Sequence, residues 1–194
     1  MDSLNEYLTL STSALRARLE AGAPVDPAAL EGWLSRGISV GVPPWFRKLT
    51  WPTFGKTFYR EPQSGDLMGW NVRMRQQGVT GPLEPMLDAR GVPKTFGHYQ
   101  VPSSEGFGVP EWCRQGLLIQ YRFGGNAPWD PVNLARDPLV ALDDGAGDLL
   151  LGWSYLQLGG VIATPSFFVL QRERAIDYVP EPPYPRSARR RALR

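Results

Sequence analysis

Lys56 is the residue of this sequence whose surroundings point most directly to chemistry. Phe54, Lys56 and Phe58 follow one another at period two, so a strand places all three on one face, where an isolated ammonium is costly to bury. Such a lysine needs an anion partner or an escape to solvent. The functional form of that anion is a ligand carboxylate in an aromatic cavity; the ordinary alternative is a lysine at an open rim or on an outward face. Arg122, next to Tyr121 in Leu118-Ile119-Gln120-Tyr121-Arg122, is a second candidate anchor, with a surface ion pair as its commoner use. His98 shares strand parity with Phe96 and Gln100. Pointing inward, its imidazole would meet haem iron or the polar end of a ligand; otherwise it is a hydrogen-bonded structural histidine.

Beyond these residues the chemistry is mostly exclusion. One cysteine, Cys113, and one histidine leave no intrachain disulfide, no Cys/His zinc site and no site needing several imidazoles. Cys113 follows Pro110-Glu111-Trp112 with no sign of a catalytic partner. The sequence has no G-x-S-x-G, no H-E-x-x-H, no P-loop and no dinucleotide fingerprint. Asp143, Asp144 and Asp148 flank Gly145-Ala146-Gly147, and no glutamate follows at EF-hand spacing, so they read as a solvated turn. No catalytic residue, metal or cofactor is expected, with haem on His98 as the exception.

Length and charge frame these residues. The chain has 194 residues, 42% of them hydrophobic, which suits one domain. Gly 21 and Pro 19 disfavour an all-helical bundle. Arg186, Arg189, Arg190, Arg191 and Arg194 supply five of the 21 basic residues, which leaves 16 basic against 19 acidic groups in residues 1–185. The basic pI of 8.8 therefore belongs to the tail, and no specific nucleic-acid face is expected on the folded part. The tail arginines are read as solvated, with weak contacts to anionic partners as their functional alternative. No apolar run is long enough for a transmembrane helix and the first residues do not have the order of a signal peptide, so the expected location is the cytoplasm.

The elements that position the candidate residues are short. Ser11-Thr12-Ser13 caps a helix that closes at Gly22, with Leu15 and Leu19 as its apolar stripe, and Asp26-Pro27 opens a second, shorter helix. Pro43 to Leu49 reads as a third, closing one end of a barrel. Strand signals cover residues 38–42, 54–60, 67–75, 95–101, 116–123, 139–143, 148–158 and 161–172, with glycine turns between many of them. The clearest is 67–75, where Met68, Trp70, Val72 and Met74 alternate with Gly69, Asn71, Arg73 and Arg75, giving one buried and one wet face. The fold expected is mainly β, an antiparallel barrel of about 8–10 strands; closure is preferred over a sandwich because it removes exposed edges. Residues 1–31 form a helical segment packed on the barrel, 32–174 the barrel, and 175–194 a Pro/Arg-rich flexible tail in which Pro180 to Pro185 sustain neither helix nor central strand.

Three stretches then matter together. Leu30-Glu31-Gly32-Trp33-Leu34-Ser35-Arg36-Gly37, Leu49-Thr50-Trp51-Pro52-Thr53-Phe54-Gly55-Lys56-Thr57-Phe58, and Leu150-Leu151-Gly152-Trp153 leading to Pro165-Ser166-Phe167-Phe168-Val169-Leu170 resemble the GXWXG-domain family of bacterial proteins. The resemblance spans residues 25–173; here the glycine directly precedes Trp33 instead of standing two before it. It implies a calycin-like barrel, the superfamily of lipocalins, fatty-acid-binding proteins and nitrobindins. Gly32-Trp33 would open the first strand with Trp33 across the closed end, and Lys56 would match the lysine of the family's G-K-x-F element. What the resemblance implies is binding.

The leading expectation is a barrel that holds a small hydrophobic or amphipathic, lipid-like molecule. Trp33, Phe54, Phe58, Trp70, Tyr121, Trp153 and Tyr155 would be its walls, with Lys56, His98 or Arg122 its polar contacts. Two alternatives stand beside it: a ligand-free scaffold or interaction module, and a haem-binding or enzymatic barrel using His98.

Overall fold

The computed structural model describes residues 4–41, 51–143 and 145–184. The expected helix at Pro43 to Leu49, the end of the first expected strand at Val42, Asp144 and the tail arginines fall outside the described residues.

Ser11 accepts a hydrogen bond from Ala14 N at 3.2 Å and opens α2 (Thr12–Ala21), which follows the short α1 (Leu4–Tyr7). Asp26 caps α3 (Pro27–Leu30) through Ala28 N at 2.9 Å, with proline in the first turn. Eight strands follow: β1 (Trp33–Val40), β2 (Thr53–Arg60), β3 (Leu67–Arg73), β4 (Thr95–Gln100), β5 (Leu117–Gln120), β6 (Ala135–Ala141), β7 (Leu149–Gln157) and β8 (Val161–Ala175). Each pairs antiparallel with its neighbour in sequence, and β8 returns to β1 to close the barrel.

Alternation sets two apolar layers. Inside lie Phe58, Tyr99, Val101, Leu117, Ile119, Leu139, Leu150 and Leu170. Outside, Ile38, Leu118, Val140, Leu151, Trp153, Phe167 and Val169 are covered by α1 and α2 through Tyr7, Leu15 and Leu19. Gln115 donates to the carbonyls of Leu19 and Glu20 and so ties the end of α2 to the barrel. A second outer cluster holds Leu34, Trp70, Val72, Met74 and Leu83.

Three expectations shift. Asn71, assigned to a wet face, is buried inside the barrel, and the apolar row Met68, Trp70, Val72 and Met74 is the outer one, covered in part by Tyr178 and Ile176. Strand β6 starts at Ala135 although Pro138 lies within it; the missing N–H falls where the β6–β7 register passes from Leu139/Gly152 to Arg136/Tyr155, beside an irregularity in β7. Strand β5 stops at Gln120 and becomes a 3-10 turn over Tyr121–Phe123. There the Asn126 side chain replaces a ladder, accepting from His98 N at 2.8 Å and donating to the carbonyls of His98 and Tyr121, both at 2.7 Å.

Candidate functional site

Each strand of an antiparallel barrel reaches a given end alternately with its last and its first residues. Ser39 late in β1, Phe54 early in β2, Asn71 late in β3, Phe96 early in β4, Asp137 early in β6, Ser154 late in β7 and Ser166 early in β8 therefore meet at one end. They enclose a cavity of about 270 Å³. Trp51 and Phe96, 4.8 Å apart edge to face, stand at its side, and Phe54 and Phe168, 6.0 Å apart, form another wall.

Lys56 reaches this cavity from below, only 2% exposed. Its Nζ donates to Asn71 Oδ1 at 2.9 Å and to the Tyr121 hydroxyl at 2.7 Å, and stands 3.3 Å from Asp137 Oδ2. Two of the three ammonium donors thus go to Asn71 and Tyr121, and the Asp137 carboxylate balances the charge as an ion pair. The Tyr121 hydroxyl passes the polarity on, donating to Asp137 Oδ2 at 2.8 Å, while Ser154 donates to Asp137 Oδ1 at 2.8 Å. Asn71 is held in turn by its amide N–H to Gly97 O at 3.0 Å. The Tyr99, Tyr121 and Phe168 rings surround Nζ at 4.8, 5.1 and 5.2 Å, within the range where a ring face attracts a cation.

Burial pulls the Lys56 pKa below the usual 10.5, and the nearby Asp137 carboxylate opposes that fall. The same burial, with the Asp137 charge added, holds Tyr121 well above 10.0 and keeps it a neutral hydroxyl. The anion that Lys56 requires is thus supplied by the chain itself, and the floor of the cavity is a neutralised, hydrogen-bonded cluster of Lys56, Asp137, Tyr121, Asn71 and Ser154.

The other residues singled out from the sequence spread over the barrel. Phe58 is inside but deeper, 6.0 Å from the Tyr99 ring. Trp33 begins β1 at the opposite end from Ser39, with the Arg172 guanidinium 4.9 Å over its ring; Arg172 also donates to Ala29 O just before the end of α3. Trp70 lies in the outer cluster against Tyr59 and Tyr178. Trp153 and Tyr155 are outer too, 5.1 Å apart, with Trp153 4.8 Å from Trp112. Arg122 is exposed on the 3-10 turn and borders a separate surface depression with Arg136.

His98 is not among the residues that line the cavity. The alternation that turns Tyr99 inward turns it outward, where its Nε2 stands 3.5 Å from Thr95 Oγ1. Burial pushes its pKa down to about 4. An outward imidazole does not present itself to a haem placed in this cavity. Among the described residues no cluster of three or more metal-ligating side chains occurs.

Sequence reading missed Asp137, Asn71 and Ser154. Asp137 was hidden because Arg136-Asp137-Pro138 has the composition of a turn; its signal is its parity with Leu139 and Ala141, which both face inward. No family model and no curated protein matches the chain. The closed eight-strand barrel is consistent with a calycin-like fold, and that is the extent of the likeness shown. No helix among the described residues is long and apolar enough to cross a membrane.

Proposed function

We propose that the barrel binds one small amphipathic molecule, with its apolar part between Phe54, Phe96 and Phe168 and an uncharged polar group on the floor. The observation that carries this reading is the pairing of aromatic walls with a floor whose charges are already balanced. A ligand carboxylate would compete with Asp137 for the one ammonium and place a second negative charge beside it. A hydroxyl or carbonyl asks for only one hydrogen bond, and the Ser154 and Ser166 hydroxyls are at hand among the lining residues. At about 270 Å³ the cavity lies just under the roughly 300–1,000 Å³ of sites for drug-sized ligands. The occupant is therefore small, or leaves one end outside.

Calorimetric titration with 1-octanol and with octanoate tests both halves of the reading. The alcohol binds and the acid binds more weakly, and Ser166→Phe, which places a ring in the cavity, abolishes both without lowering the melting temperature by more than a few degrees. Equal affinity for both probes refutes the neutral-head assignment. Unchanged binding in Ser166→Phe refutes the site. Native mass spectrometry of protein purified from its own host then identifies the class of any molecule that travels with it.

A further inference from the structure

The cavity mouth is also where the molecule exposes its apolar side chains. Of the eleven large hydrophobic residues exposed among the described residues, ten lie at strand ends or in connections on the mouth side. Only Val179 does not. Trp51 precedes β2, Trp129 sits 76% exposed between β5 and β6, and the β7–β8 hairpin shows Leu156, Leu158, Val161 and Ile162. The residues 74–94 connection adds the rest of that set save Phe123, and it is fixed to this end because Met86 bonds both Arg73 O and Lys94 N, each at 2.8 Å.

Charge divides along the same axis. At the mouth end Arg73 and the described connections carry five basic residues, Arg73, Arg75, Arg90, Lys94 and Arg122, against three acids, Glu84, Asp88 and Asp130. At the other end the connections 61–66, 101–116 and 142–148 carry Glu61, Asp66, Glu105, Glu111, Asp143 and Asp148 against Arg114. An end that is both basic and apolar is complementary to a surface that is anionic outside and apolar beneath.

We propose that the mouth end docks on an anionic lipid membrane, with the β7–β8 hairpin inserted into the headgroup boundary. The hairpin distinguishes this partner from a protein surface. Leu156 pairs with Ile162 and Gln157 with Val161, so successive pairs point to opposite faces; Leu156 and Ile162 make one of them apolar, and Val161 puts an apolar side chain on the other beside the uncharged Gln157. A two-sided apolar tip is satisfied by immersion in a fluid phase, whereas a rigid partner covers one face. The stretch from Leu149 to Gln171 contains no charged residue to oppose that immersion. Tryptophans at the rim suit the interface between headgroups and acyl chains. The proposal holds whether or not the cavity is occupied.

Co-sedimentation of the full chain with vesicles tests it, comparing phosphatidylcholine alone with phosphatidylcholine containing phosphatidylglycerol. The chain partitions to the anionic vesicles, less so as salt rises, and its tryptophan emission shifts to the blue. Leu158→Glu weakens partitioning by about tenfold or more, and Lys94→Gln by about fivefold. A variant with Arg186, Arg189, Arg190, Arg191 and Arg194 changed to Ser still partitions and still responds to Leu158→Glu. All the substituted positions named within the described residues are exposed, so an unchanged melting curve accompanies each effect. No preference for anionic vesicles overturns the proposal, as does loss of all binding in the tail variant or indifference to Leu158→Glu. A dimer in light scattering that Leu158→Glu dissolves would assign the patch to a second copy of the chain instead.

Discussion

Asp137→Asn separates charge from shape at the floor of the cavity. The amide keeps the shape and one of the two acceptor oxygens that Tyr121 and Ser154 use, but the Lys56 ammonium, 2% exposed, loses the one carboxylate paired with it among the described residues. Removing one member of a buried ion pair costs about 3–5 kcal/mol, because the survivor is left uncompensated. In a chain of this length about 1 kcal/mol shifts the melting temperature by about 2–4 °C, so the variant melts about 6–20 °C lower at neutral pH. Lys56→Met alone costs a comparable amount for the mirror reason. The double variant has neither charge, and its loss falls short of the sum of the two by about 2 kcal/mol or more, which is the coupling between the partners.

The pH dependence supplies an independent sign. Lys56 is held below 10.5 by burial while Asp137 pulls it back up, so Asp137→Asn drops it further. Between that lowered value and 10.5 the unfolded chain binds more protons than the folded one, and stability rises with pH. The deficit of Asp137→Asn against the wild type therefore shrinks as pH rises through the interval in which the variant has released the buried proton and the wild type still holds it. Tyr99 and Tyr121, both held well above 10.0, bind protons more tightly when folded and reverse the slope at still higher pH. Urea denaturation at several pH values reads all of this. Additive single losses, or a deficit independent of pH, would refute the account of a coupled buried pair.

Two further outcomes follow from the packing around β4. Burial lowers His98 from 6.5 to about 4, so its neutral form supports the fold fully above pH 6.5 and the support is lost as pH falls towards 4. The shift corresponds to about 3 kcal/mol; thermal melts from pH 7 to 4 show it in the wild type, and His98→Gln flattens that part of the profile. Gly69→Ala puts a Cβ against the Thr57 carbonyl and the Tyr99 ring, where Tyr99 Oη donates to Thr57 O at 2.8 Å. The clash costs about 1–3 kcal/mol in denaturant midpoint with the slope unchanged, and a neutral result would mean that β3 and β4 do not approach this closely.

Period-two alternation made the barrel legible, and also limited what could be read from it. It predicts eight or more strand segments, and the described residues hold eight, although β1 starts at Trp33, where the family resemblance put it, and not at Ile38, where alternation did; the N-caps at Ser11 and Asp26 were legible from capping chemistry. Alternation tells two faces apart without telling which is inside, and in this molecule both are buried over much of the sheet. Helices α1 and α2 cover one outer sector and the segment from Ile176 to Tyr178 another, so apolar residues on one face are no sign of the interior. Lys56 was visible as an anomaly between Phe54 and Phe58. Its partner was not, because an aspartate beside a proline has the composition of a turn wherever it lies, and only the register of β6 turns Asp137 inward.

The size of the interior explains why the largest side chains went the other way. Eight strands enclose room for little more than their own inward side chains. On β3 those are Leu67, Gly69 and Asn71, with Gly69 reduced to a hydrogen so that the Tyr99 ring can cross it. On β7, Gly152 plays the same part for the Phe168 ring. An indole at either inward position would fill the space now left to the cavity, so Trp70 and Trp153 occupy the adjoining outward positions and are buried by elements added outside the barrel. Trp70, Trp112 and Trp153 thus belong to an outer layer, and the small inward residues left a void whose polarity is set by Lys56 and Asp137. That division predicts opposite consequences for substitution on the two faces: truncating Trp70 or Trp153 costs stability and leaves the cavity intact, whereas changing Lys56, Asp137 or Ser154 alters what the cavity accepts.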